Sequence, residues 1–210
     1  MVRNVTVVAV LGVLLTTNAA SRAISFEATG ERMTHFYVAP TREEFDAIQA
    51  GIKSNLRKFK AEEKENGTAL LAAVFLARVS EKYHYPLLDT GHIDDTAKSI
   101  LAGDGSQISN YVRDDSQVDP GKLDIWWVSY FATGDTGFLD KILAQVADPK
   151  SQSGAEHKLV AWAANWSVSS NCEQHPAVLE YVHSVLARTP PPTNADAVRE
   201  LLAKVGKHDG

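Results

Sequence analysis

Hydrophobic residues recur at helical spacing along most of the chain, and most densely in residues 119–147. In the first half of this segment Leu123, Trp127 and Tyr130 mark one face, and further apolar residues fill the other faces. A helix that is apolar nearly all round belongs inside a protein. Gly134 interrupts the pattern before a second apolar stripe, and glycine readily adopts the left-handed conformation that ends a helix. Because so short a connection makes two helices antiparallel neighbours, we predict a helical hairpin over 119–147.

The same pattern predicts two more hairpins, at about 41–85 and 154–188. Thr41 and Glu44 have the spacing of a capping box at the start of the first of these. Pro176 has the position of a first helical residue in the second, where its missing N–H costs nothing. Each hairpin is therefore bounded by its own start and stop signals.

The remaining segments are less regular. Residues 24–40 lack clear periodicity, and within them Phe36, Tyr37 and Val38 are predicted to pack as an extended arm. A last helix follows residue 193. Further helix caps are predicted at three hydroxyl side chains, those of Thr68, Ser153 and Thr193. Since no alternating strand pattern is present, we predict an all-α protein of about seven or eight helices, arranged as an α-superhelix-like stack of hairpins or an irregular bundle.

Aromatic residues are concentrated in the first helix of the hairpin at 119–147. They are Trp126, Trp127, Tyr130 and Phe131. Apolar stripes at helical spacing usually face a core, so core packing is the main interpretation, and an aromatic ligand pocket is the alternative. When the last two hairpins are aligned by their tryptophan-rich first helices, Trp127 and Phe131 correspond loosely to Trp162 and Trp166.

Stacked helix pairs of this kind resemble the tetratricopeptide-like and related α-superhelical folds. The chain is also similar to uncharacterised bacterial exported proteins that have an Ala-Thr-Gly-Asp turn after an aromatic helix, here residues 132–135. That similarity covers mainly residues 120–186 and brings no catalytic residues with it. It implies a stack of hairpins whose concave face binds a protein or peptide.

The first 23 residues have the pattern of a secretory signal peptide. Arg3 precedes an apolar run over 5–15, and small residues follow up to Ala23. We expect cleavage after Ala23, and cleavage after Ser21 is the alternative. The run is shorter than the ~20 apolar residues that span a bilayer. We therefore predict an exported protein, periplasmic or secreted, with a single all-helical domain over 24–210 and no stable membrane insertion.

Charge and cysteine usage narrow the function classes. Loss of Arg3 and Arg22 with the signal leaves 19 basic side chains against 26 acidic ones, a net charge of −7. Nucleic-acid binding needs clustered positive charge, so no nucleic-acid partner is predicted. Cys172 is the only cysteine, so a monomer has no internal disulfide. Its thiol is predicted to be buried and inert, the alternative being a thiolate paired with His175.

The segment around His92 is the best candidate for chemistry. A histidine beside Asp94 and Asp95 could bind a divalent metal or act as a base, and His84 could join it from eight positions upstream. The simpler interpretation is that an aspartate caps a helix and the histidine beside it is exposed.

Three histidines form a second candidate. His175 precedes a helix start, His183 lies about two turns further on, and His157 belongs to the preceding helix. Three histidines on two paired helices could bind a metal, whereas surface histidines without a metal are far commoner.

These observations favour an exported protein- or peptide-binding module over an enzyme. The sequence has none of the common nucleophile or phosphate-binding motifs, and no cofactor is predicted. The alternatives are an extracytoplasmic enzyme, metal-dependent or hydrolytic, that uses the His92 segment, and a structural component of the cell envelope.

Overall fold

The structure, a computed structural model, describes residues 24–59 and 67–205. Ten α-helices and one 3-10 helix begin and end within these residues, and none of these residues is in a β-strand. The prediction of an all-α protein is therefore confirmed. The eleven helices exceed the predicted seven or eight, and they pack into two compact units.

The first unit consists of the described residues up to Asp115 together with Val128–Asp135. Its complete helices are α1 (Phe26–His35), a 3-10 helix (Phe36–Val38), α2 (Arg42–Ser54), α3 (Thr68–Tyr83), α4 (His92–Ala102) and α5 (Gln107–Arg113). The most extensive packing in this unit joins α3 to α4, and α3 contacts α2 less. The hairpin predicted over 41–85 thus contains the less closely packed of these two helix pairs.

Most of residues 24–40, where the sequence predicts no helix, is helical, and the predicted extended arm is the 3-10 helix Phe36–Val38. The Ser25 hydroxyl begins α1 by accepting a hydrogen bond from the Ala28 amide at 3.1 Å. Thr29 and Met33 are its buried residues, one helical turn apart. The prediction was wrong because a stripe that contains threonine lacks the apolar periodicity that marks the other helices.

Aromatic packing and one close helix approach hold the first unit together. Phe36 is buried, and its ring centroid lies 5.5 Å from that of Phe75 and 6.2 Å from that of Phe45. A Cβ atom added at Gly51 of α2 would lie 2.4 Å from Thr29 Oγ1 of α1. Gly51 therefore lets α1 and α2 approach more closely than any larger residue would.

Helix starts in this unit follow the predictions in part. The Thr41 hydroxyl accepts a hydrogen bond from the Glu44 amide at 3.2 Å, so the predicted cap of α2 is confirmed. At α3 the cap is Gly67, with φ +65°, and Thr68 is the first helical residue. The predicted cap at Thr68 was wrong because the helix begins one residue earlier than expected, with the cap at Gly67, whose left-handed conformation suits glycine.

The second unit consists of Ser116–Trp127 and the described residues from Thr136 onward. It contains the first half of α6 (Pro120–Thr133) and the complete helices α7 (Thr136–Leu143), α8 (Ala155–Gln174), α9 (Pro176–Leu186) and α10 (Ala195–Leu202). The helices α8 and α9 are joined by His175 alone and pack together, and α10 contacts both. The helices of the hairpin predicted over 154–188 are thus present, with the second beginning at Pro176 as expected.

The two helices predicted over 119–147 are also present. The Asp119 carboxylate accepts a hydrogen bond from the Lys122 amide at 2.8 Å and begins α6. Gly134, with φ +65°, ends it and donates its N–H to the Tyr130 carbonyl. These contacts confirm the predicted start and stop signals of this helix.

Two predicted caps in the second unit were wrong. Gly154, with φ +84°, precedes α8 in place of Ser153, and no side chain caps that helix. Asn194 precedes α10 in place of Thr193, and its amide donates instead to the carbonyls of Leu143 and Val146 at 2.7 and 2.8 Å. At α8 the helix thus begins after a glycine with positive φ, and at α10 it begins after an asparagine that is held by bonds to a distant segment. Neither predicted hydroxyl caps its helix.

The predicted signal peptide, residues 1–23, lies outside the described residues. In the part of the chain that the structure describes, no helix combines the length and apolar character needed to cross a bilayer.

Candidate functional site

The tryptophans of α8 are exposed, unlike those of α6. Trp162 is 51% exposed and Trp166 38%, and Leu159, one turn earlier, is 38% exposed. These three residues share one face because they lie three and four positions apart. The opposite side of α8 carries the buried Val160, Ala164 and Val168. One face of this helix therefore packs into its unit, and the other presents apolar area to water.

A groove of about 340 Å³ runs along this exposed face. On α8 it is lined by Trp162, Asn165, Trp166 and Ser169, on α10 by Ala197, Glu200, Leu201 and Lys204, and at the connecting loop by Ala147, Asp148 and Pro149. All of these residues belong to the second unit.

Side-chain amides fix the walls of the groove to one another. The Asn165 carboxamide donates to the Ala147 carbonyl at 2.8 Å and accepts from the Ala147 amide at 3.3 Å. The two bonds Asn194 makes to the end of α7 and the residues after it hold the start of α10 in the same way. These bonds tie α8 and the start of α10 to the end of α7 and the loop after it, so the walls of the groove are fixed to a common segment.

Charges lie at the edges of the groove. Lys204 donates to the Glu200 carboxylate at 2.9 Å, and both side chains are largely exposed. Asp148 accepts a hydrogen bond from the Lys150 amide at 2.9 Å and has no ion pair among the described residues. The interior is thus mainly apolar, one rim carries an ion pair with no net charge, and the other carries a carboxylate that has no ion pair with any residue in the described ranges.

This arrangement suits binding. Clefts of a few hundred Å³ lined by aromatic and aliphatic side chains, with a few polar groups, are the usual form of ligand and peptide sites. Exposed tryptophan area in contact with further apolar residues is uncommon on a protein surface that has no partner. We therefore take this aromatic groove as the candidate functional site.

The segment predicted to carry chemistry is held by structural contacts. Asp94 is buried, and its carboxylate accepts a hydrogen bond from the Thr90 amide at 3.0 Å and from the Lys98 ammonium at 2.5 Å. These bonds anchor the first turn of α4. His92 and Asp95, on the same turn, are exposed.

The other candidate residue of that segment is also exposed. His84 follows the last residue of α3 with φ +57°, the left-handed conformation that ends a helix. In the ranges 24–59 and 67–205, no group of three or more histidine, cysteine, aspartate or glutamate side chains is placed to hold a metal ion. A catalytic role for His84, His92, Asp94 and Asp95 stays a prediction.

The three histidines predicted as a metal site have different surroundings. His175 is buried between α8 and α9, whereas His157 and His183 are exposed. The His157 ring nitrogen Nδ1 lies 3.0 Å from the Ser153 carbonyl. Among the described residues, these three histidines do not form a group that could hold a metal ion.

Cys172 is buried, and burial, with the charge of Glu173 as a smaller cause, raises the pKa of its thiol to about 12. The thiolate is therefore disfavoured at neutral pH, which agrees with an inert thiol rather than a nucleophile paired with His175.

The main interpretation of the α6 aromatic residues is confirmed, whereas the groove was not predicted. Trp126, Trp127, Tyr130 and Phe131 are all buried. The signal that could have found the groove lies in α8, whose apolar residues are small on one side and large on the other. Small residues allow close packing, and the large residues on the far side are then left for another partner.

The chain matches no protein-family model, and no characterised protein or solved structure is significantly similar to it.

Proposed function

We propose that this protein is an exported protein- or peptide-binding module and that the aromatic groove is its binding surface. The observation that supports this proposal is the exposure of Trp162 and Trp166 on one wall of a groove of about 340 Å³. Covering apolar area contributes roughly 25 cal/mol per Å². Tryptophan is also enriched among the residues that dominate binding energies.

A protein or peptide partner is favoured over a small polar ligand by the chemistry of the walls. The Asn165 carboxamide is already engaged with the Ala147 backbone, which leaves the Ser169 hydroxyl and two indole N–H donors, those of Trp162 and Trp166, as the neutral polar side-chain groups between the two rims. A small polar ligand needs several convergent hydrogen-bonding groups for its orientation, whereas apolar side chains need only a matching surface.

Selection of displayed peptides tests this binding role. A random peptide library is panned against the full chain, and enriched peptides are measured on a double variant, Trp162→Ala with Trp166→Ala, and on Ile108→Ala as an exposed control in the first unit. We expect binding to the control to match the parent, and binding to the double variant to be weaker by about 30-fold or more. Equal binding to all three proteins would contradict the proposal.

Export rests on the sequence of residues 1–23, where a short apolar run is followed by small residues. Expression of the full chain in cells and N-terminal sequencing of the protein recovered outside the cytoplasm should give Ile24 as the first residue. Retention of the whole product in the cytoplasm with its leader intact would argue against export.

A further inference from the structure

The hydrogen-bonding capacity of the aromatic groove restricts the form of its ligand. Among the neutral side chains of the described residues that line it, Asn165 is bonded to Ala147, the indole N–H groups of Trp162 and Trp166 can only donate, and the Ser169 hydroxyl can both donate and accept. An extended peptide covered by these walls would therefore bury backbone N–H groups with few neutral acceptors, at a cost of about 1–3 kcal/mol for each unpaired group. A helix avoids this cost because its backbone groups bond to one another.

The length of the exposed face fits such a helix. Leu159 and Trp166 are seven residues apart on α8, which corresponds to about 10 Å along the helix axis. A docked helix presents apolar side chains at i, i+3, i+4 and i+7 over the same distance. The face of α8 is thus long enough to cover two turns of a partner helix.

The charges at the rims of the groove indicate the sign of the charge that a partner carries there. Among the described residues that line the groove, Lys204 is the only cation, and its ammonium is already paired with Glu200 at 2.9 Å. Asp148 is exposed, lines the other side and has no ion pair in the described residues. A lysine or arginine of the partner could pair with this carboxylate, and the tryptophan faces also attract cations.

We propose that the aromatic groove binds a cationic amphipathic helix of a partner protein, with its apolar stripe against Trp162 and Trp166 and a lysine or arginine beside Asp148. This inference rests on the proposed peptide-binding function and specifies the chemistry of the peptide.

Three matched synthetic peptides test it on the full chain by fluorescence anisotropy. The first is a helix of about four turns with leucines at i, i+3, i+4 and i+7 and lysines on the flanks. The second has glutamine in place of lysine, and the third has the lysines and a central proline that breaks the helix. We expect the lysine helix to bind most tightly, and the proline peptide to bind at least tenfold more weakly.

The variant Asp148→Asn tests the charge, because asparagine can still accept the bond from the Lys150 amide. We expect it to weaken the lysine helix by about threefold to fivefold, the range of one exposed ion pair, and to leave the glutamine helix unchanged. Asp196→Asn, a fully exposed carboxylate on α10 that does not line the groove, is the matched control and should change neither peptide.

The outcomes separate the two proposals. If the proline or glutamine peptide binds as tightly as the lysine helix, and binding still requires Trp162 and Trp166, the cationic helix is excluded while the peptide-binding function stands. If the double tryptophan variant binds the lysine helix as the parent does, both proposals fail. Sedimentation with phosphatidylserine vesicles is a parallel measurement. Tryptophan-dependent binding to vesicles, with no peptide binding, would assign the groove to a lipid surface and overturn both.

Discussion

The helices α6 and α8 carry two tryptophans each but expose them very differently. In α6 Trp126 and Trp127 are 3% and 5% exposed, whereas in α8 Trp162 and Trp166 are 51% and 38% exposed. Their sequences are both rich in apolar residues, and an alignment of the two hairpins pairs Trp127 with Trp162. The difference comes from the other residues of each helix. In α6 large side chains lie all round, so every face must be covered, whereas α8 uses alanine and valine for packing and leaves its large residues outside.

This difference separates two uses of the same residue. A buried tryptophan contributes to stability, and an exposed one in a groove is available for recognition. Tryptophan density alone therefore does not identify a functional surface, and the residues on the opposite side of the helix have to be considered as well.

Replacement of one tryptophan in each helix should reveal the difference between α6 and α8 most clearly, as a difference in lost stability. We expect Trp126→Ala to lower the free energy of unfolding by about 3–5 kcal/mol, because it leaves a large cavity. Trp162→Ala should lower it by no more than about 2 kcal/mol, because about half of this residue is already in water. Urea denaturation followed by circular dichroism measures both values, and similar losses for the two variants would contradict the contrast.

The carboxyl group of Asp124, on α6, offers a second test of burial in this helix, through the pH dependence of the free energy of unfolding. Burial, with the negative charge of Asp119 as a smaller cause, raises the pKa of Asp124 from 3.8 to about 6. Between these values the folded protein keeps a proton that the unfolded chain has released, so stability falls as pH rises through this window and is then level. At pH 7 the loss is about 2–3 kcal/mol.

Asp124→Asn should therefore be more stable than the parent at pH 7 and lack this fall. Urea denaturation at pH 4, 5, 6 and 7 measures the effect, with the exposed Asp196→Asn as the control. A parent protein whose stability rises steadily over the same window, with no change in Asp124→Asn, would show that this carboxyl is not buried in the manner described.

In the first unit, two glycines allow the same comparison between a packed and an open helix face, Gly51 on α2 and Gly30 on α1. Gly51→Ala should destabilise by about 1–3 kcal/mol, because its Cβ would contact Thr29 Oγ1, Cγ2 and Cβ, and rotation of the threonine cannot relieve all three. Gly30→Ala, on α1, has no atom within 4 Å of the new Cβ. It should be neutral or stabilise by up to about 1 kcal/mol through helix propensity. Thermal unfolding compares them, and equal shifts in Tm would refute the close approach of α1 and α2.

The sequence predicts helices well where their buried face is apolar and regular. The periodicity around Trp127 predicts α6, and Pro176 marks the start of α9 as observed. Prediction failed at α1, because a buried face that includes Thr29 does not have an apolar pattern.

Prediction of the groove would have required knowledge of contacts between residues far apart in the sequence. Trp162 and Trp166 fit a core-facing stripe as well as they fit an exposed one, and the choice depends on which side of α8 meets α9 and α10. Asn165 and Asn194 decide the loop positions through bonds to Ala147, Leu143 and Val146, residues 18 to 51 positions away. Such bonds leave no pattern at short spacing. At α4 the predicted aspartate cap was wrong, because Gly91 is the cap and Asp94, already inside the first turn, bonds back to the Thr90 amide instead.

Acrylamide quenching of tryptophan fluorescence tests the contrast between α6 and α8 most directly. The account predicts that the parent protein has a readily quenched component, and that Trp162→Phe with Trp166→Phe removes it and leaves a blue-shifted, poorly quenched emission from Trp126 and Trp127. The matched variant Trp126→Phe with Trp127→Phe should keep the quenched component. If instead the quenched component survives loss of the α8 pair and disappears with the α6 pair, the account of the aromatic groove is wrong.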